Sequence, residues 1–112
     1  MKSPQRLGHL VEMFQGNQPL VEGLVVLFLE HTPKLLSEFV TLVRESRVNE
    51  FHGVSFRLKS NLRVLGFPDI RNQVESIGAS LRSGKPASEL EPELQALETA
   101  LLGACQQLRE SL

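Results

Sequence analysis

Along this chain the apolar residues recur every three or four positions, and the rhythm breaks where glycine and proline fall, so the chain reads as all helix. Ser3 and Pro4 suit an N-cap followed by a first-turn proline, opening a short helix with Leu7, Leu10, Val11 and Phe14 that "QGNQP" then breaks. A long helix follows from about Asn17 to about Ser46, with Val21, Leu24, Phe28, Leu35, Phe39 and Leu42 as one stripe. Pro33 lies inside it, which predicts a kink or two helices in succession. A further helix runs from about Val48 to Leu65 and stops at Gly66, read as a left-handed C-terminal cap. Pro68 and Asp69 open the next, which carries Ile70, Val74, Ile77 and Leu81 and ends at "SGKPAS". The last begins at Ser88, with Glu91 completing a capping box, and carries Leu90, Leu94, Leu97, Leu101, Ala104 and Leu108. Short links between amphipathic helices force antiparallel neighbours. The predicted architecture is therefore an all-α, up-and-down antiparallel four-helix bundle with a short additional N-terminal helix, one domain over residues 1–112.

Charge and cysteine content narrow the function. The 112 residues carry a formal charge of -1, so no global field attracts nucleic acid or an anionic membrane. The longest apolar run, "GLVVLFL", is far short of a membrane span, and the polar residues of "MKSPQRLGHLVEMFQG" argue against a signal peptide. A soluble, complete and monomeric protein is expected. The single Cys105 excludes an intramolecular disulfide and any multi-cysteine metal site, which fits a reducing, cytoplasmic setting. With no sequence neighbour to activate it, Cys105 reads as a small buried hydrophobe. No metal-ligand spacing, cofactor motif or catalytic constellation appears, and "SGKP" is too short to cradle a phosphate. Neither an enzyme nor a cofactor is expected.

One stretch departs from the bland pattern: "GVSFRLKSNLRVLG", Gly53 to Gly66. At roughly 100° per residue, Phe51, Val54, Leu58, Leu62 and Leu65 fall within about 60° of one another and define a core face, while Phe56 sits roughly 150° from its centre. The sequence thus places a large aromatic ring towards solvent, beside His52, Gly53, Lys59, Ser60 and Arg63. Gly53 and Ser60 are small flanks that leave the ring accessible, and a glycine inside a helix costs on the order of 1 kcal/mol relative to alanine. Lys59 and Arg63 add positive charge on the same side, suited to an acidic partner or a phosphoryl group. Read plainly, the same residues are an ordinary solvated face with one exposed ring.

Phe56-Arg57-Leu58-Lys59-Ser60, followed by Gly66, resembles the motif of histidine-containing phosphotransfer (HPt) domains, in which a phosphorylatable His precedes x-Leu-Lys-Gly/Ser and, later, a Gly. "LVEGLVVLFLEHTPKLLSEF" looks like that family's preceding helix, proline included, and "VNEFHGVSFRLKS" like its lead-in, so the resemblance extends from Asn17 to about Ser83. It implies a helical bundle of a two-component or phosphorelay pathway whose partners are a response-regulator receiver domain or a histidine kinase. Phe56, however, stands at the position of the family's His, and a phenyl ring has no lone pair with which to attack a phosphoryl group. The resemblance therefore implies a pseudo-phosphotransfer domain, or one whose His has been replaced, that docks partners through Phe56, His52, Gly53, Lys59, Ser60 and Arg63.

Two alternatives stand beside it. His52, within about 40° of Phe56 on the wheel, is the candidate substitute phosphoacceptor. Its displacement by one turn, about 5.4 Å, opposes in-line transfer in an unchanged docking pose. His31 and His9 read as structural or solvated. The second alternative is a helical interaction or dimerisation module unrelated to signalling, with Phe56 as its anchor.

Overall fold

Asn17 starts the described part of the fold. Its Oδ1 accepts a hydrogen bond from the Leu20 N–H (3.2 Å), capping the helix α1 (Gln18–Arg44). The computed structural model describes residues 17–111; the expected short helix carrying Leu7 to Phe14 lies outside them. α1 continues unbroken through Pro33, so the alternative of two successive helices is not realised, although the proline removes the donor that would serve the Leu29 carbonyl. α2 (Val48–Leu65), α3 (Pro68–Arg82), a 3₁₀ turn (Ala87–Leu90) and α4 (Glu91–Ser111) follow, and all regular structure among the described residues is helical.

The three turns between helices share one device. At each, a left-handed residue lets two N–H groups reach back to the last carbonyls of the helix before it. After α1, Ser46 (φ 55°) and Arg47 donate to Val43 and Leu42. After α2, Gly66 (φ 76°) and Phe67 donate to Arg63 and Leu62, as the sequence predicts for Gly66. After α3, Gly84 (φ 95°) and Lys85 donate to Leu81 and Ser80. Among the described residues Ser46 alone takes this conformation with a side chain attached.

α1 packs against α2 and α4, and α3 against the same two, so the apolar faces close on one core. The expected faces of α2, α3 and α4 are all buried: Phe51, Val54, Leu58, Leu62 and Leu65; Ile70, Val74, Ile77 and Leu81; Leu94, Leu97, Leu101, Ala104 and Leu108, joined by Leu90 of the 3₁₀ turn. Cys105 joins them, and burial pushes its thiol pKa up. α1 is rotated from its expected stripe. Val21, Phe28 and Phe39 are buried, but Leu24, Leu35 and Leu42 lie at the rim while Val25, Leu36, Val40 and Val43 point inward. The cause is that α1 faces two neighbours at once, which widens its buried arc beyond a single stripe.

Phe67, buried at the turn before α3, stacks on Phe28 of α1 with ring centroids 5.8 Å apart, and Phe39 meets Phe51 edge-on at 6.2 Å. These rings tie α1 to α2 and to the α2–α3 turn. The capping box expected at Ser88 is not formed. Ala87–Leu90 winds as a 3₁₀ turn, and the Glu91 carboxylate instead takes a two-pronged contact from Arg44 at the end of α1 (2.8 and 2.7 Å). A bidentate guanidinium is the stronger partner for an exposed carboxylate than a single backbone N–H.

Candidate functional site

Burial of one side of α2 dictates what its other side presents. With Phe51, Val54, Ser55, Leu58, Leu62 and Leu65 inside, Phe56 projects outward and is 66% exposed, more than any other large apolar side chain among the described residues. The outward direction expected for the Phe56 ring therefore holds in the structure. Its ring stands as a ridge between two shallow hollows. One lies between α1 and α2 and is lined by His31, Lys34, Leu35 and Glu38 together with Phe56, Arg57, Ser60 and Asn61. The other lies between α2 and α3 and joins Phe56, Lys59, Ser60 and Arg63 to Arg71, Asn72 and Glu75.

The structure thus brings together Phe56, Lys59, Ser60 and Arg63. His52 and Gly53 are exposed one turn earlier on α2 and line neither hollow. At Gly53 an added Cβ would meet nothing within 4 Å, so no packing inside the molecule demands a glycine there. Nearby, Asn61 Nδ2 on α2 donates to the hydroxyl of the fully buried Thr32 on α1 (3.4 Å).

Charge is concentrated at this place. Lys34, Arg57, Lys59, Arg63 and Arg71 line the two hollows against only Glu38 and Glu75, an excess of cations in a chain whose formal charge is -1. Lys34, Arg57 and Arg63 have no ion-pair partner among the described residues, whereas Lys59 is engaged. Its half-buried Nζ lies 2.5 Å from Glu75 Oε2, and Arg82 approaches the other oxygen of that carboxylate at 3.7 Å. The Lys59 hydrogen bond and then its charge, with smaller help from Arg82 and Arg71, hold the Glu75 carboxyl below the usual carboxylate range. Lys59 is consequently less available than the sequence suggests.

A third hollow, further along the α1–α2 groove, is lined by Leu24, Leu27, Phe28, His31, Asn61, Val64 and Leu65, with no Lys, Arg, Asp or Glu among them. It shares His31 and Asn61 with the hollow beside Phe56, so an apolar strip adjoins the basic one. The contributions of α1 and α3 to this face are not seen by reading α2 alone; the one hint in sequence is the Arg71–Glu75 spacing of four, which sets a cation and an anion on one side of α3. Comparison with protein-family models, curated proteins and solved structures finds no match for this chain.

Proposed function

We propose that this protein is a cytoplasmic, monomeric, HPt-like docking module that binds a response-regulator receiver domain or a histidine kinase through the Phe56 face of α2 and carries no phosphate itself. The observation that supports this most is the exposed Phe56 ring set between hollows rich in unpaired cations. Receiver domains present an apolar patch beside an acidic phosphorylation pocket, as the family resemblance implies, and this face offers the complement of both. An apolar ring supplies affinity through the area it removes from water, while the surrounding cations steer encounter and set register. The bundle we infer is up-and-down. Arg44 at the end of α1 grips Glu91 at the start of α4, which supports opposite directions for that pair, and the short α1–α2 and α2–α3 links support the same for the others.

Phosphate transfer through His52 has less support, because His52 lines neither hollow and sits a turn from the ring. Incubation with a phosphorylated receiver domain tests the reading. The expected result is a complex without transfer; acid-labile label on His52 would replace the docking role with a relay role.

A further inference from the structure

We infer that the hollow between α2 and α3 is an anion seat, occupied at rest by the protein's own Glu75, and that a docking partner gains Lys59 by displacing that carboxylate. The inference rests on the docking reading for the identity of the partner, but the seat itself stands on local geometry. Lys59, Ser60, Arg63, Arg71 and Asn72 converge on one hollow as donors, and Glu75 is its only acid. The Glu75 carboxylate already sits there, with Lys59 Nζ at 2.5 Å on one oxygen and Arg82 at 3.7 Å on the other, while Arg63 is left without an ion-pair partner among the described residues. An incoming carboxylate or phosphoryl group finds the same Lys59 nitrogen and a free guanidinium beside it.

The Glu75 side chain is about half exposed and is joined to α3 by rotatable bonds, so it can leave without disturbing the core. Phe56 lines the same hollow, which places the ring and the anion contact within reach of one partner surface. Glu75 thereby acts as a built-in competitor that lowers the affinity of an anionic partner by the modest factor an exposed ion pair allows.

Inorganic phosphate, titrated into the full chain and followed by amide shifts, tests the seat without any partner protein. Glu75→Gln keeps the shape and removes the charge. It is expected to bring the shifts at Lys59, Ser60, Arg63 and Asn72 to saturation at about two- to fivefold lower phosphate at low ionic strength, a gain lost when Lys59→Ala is added. Glu75→Ala should show the same gain, which guards against an effect peculiar to glutamine. An unchanged midpoint in both variants, or shifts centred elsewhere, overturns the seat. In a second arm, a receiver domain that binds the parent chain should bind Glu75→Gln more tightly. Binding that is weakened by Phe56→Ala but indifferent to Glu75→Gln refutes the displacement and leaves the docking reading intact. Failure of every receiver domain to bind either chain refutes the docking reading instead, with the phosphate result still deciding the seat.

Discussion

Gly53→Ala separates what this chain needs to fold from what its α2 face needs to present. Gly53 lies inside α2 in ordinary helical conformation, and a Cβ there has open space around it. The substitution therefore meets no steric cost and recovers the helix propensity that glycine forfeits, about 1 kcal/mol. For a domain of this size that corresponds to a rise in Tm of about 4–6 °C. Gly78 on α3 provides the contrast, since a Cβ there would stand 3.2 Å from the Phe51 ring, which is fully buried and set against Phe39. There the propensity gain is offset by overpacking of about 1–3 kcal/mol, so Gly78→Ala should leave Tm unchanged or lower it. Gly23 and Gly103 also have open space inside exposed helix faces, away from Phe56, and alanine at either should stabilise as Gly53→Ala does. Thermal unfolding followed by circular dichroism reads all four. Paired titrations with a receiver domain then isolate the face: only Gly53→Ala should weaken docking, by setting a methyl group on the exposed surface that a partner approaches. A lowered Tm for Gly53→Ala would refute the packing argument, and a raised Tm with unchanged docking would remove Gly53 from the partner face.

Further outcomes follow from the same geometry. Phe56→His should convert the chain into a phosphoacceptor in one step, with stability changed by no more than about 0.5 kcal/mol because the site is exposed; a folded variant that binds a phosphorylated receiver domain and takes no label would contradict it. Ser46→Gly should stabilise the α1–α2 turn by about 1 kcal/mol, since Ser46 holds φ 55° with a Cβ in place, and denaturant titration will show a higher midpoint at constant slope. Glu75, whose carboxyl is held below its ordinary pKa by Lys59, contributes stability that is present above the unfolded-state value and is lost as pH falls through the lowered folded-state value. The stability gap between the parent chain and Glu75→Gln should thus close on acidification from neutral pH, and a gap that stays constant or widens would contradict the pairing.

What was legible in the sequence was what a single helix decides for itself. Phe51, Leu58 and Leu65 repeat at helical spacing, so the inner face of α2 and the outward direction of Phe56 could be read from one segment. Gly66 announced the end of α2 because few other residues take a left-handed cap without strain. Contacts between helices were not legible. Arg44 captured Glu91 from across the bundle and displaced the local capping box, and Glu75 reached Lys59 from α3, because ion pairs are settled by which helices lie side by side rather than by spacing within one. The same holds for α1, whose inner face answers to two neighbours and therefore turned away from its expected stripe. The part of the candidate site contributed by α1 and α3, including Lys34, Glu38, Arg71, Asn72 and Glu75, escaped for this reason.

The central claim is that the exposed ring of Phe56 is the anchor of a docking face for a receiver domain. Full burial of a phenylalanine on complex formation is worth roughly 1.5–3 kcal/mol, or about one to two orders of magnitude in affinity. Isothermal titration of receiver domains from the source cell against the parent chain and Phe56→Ala measures this directly. The account predicts a complex with the parent chain and a Kd raised about ten- to a hundredfold by the substitution, chiefly through faster dissociation. An equal Kd for the two chains, or no complex with any receiver domain, would contradict it.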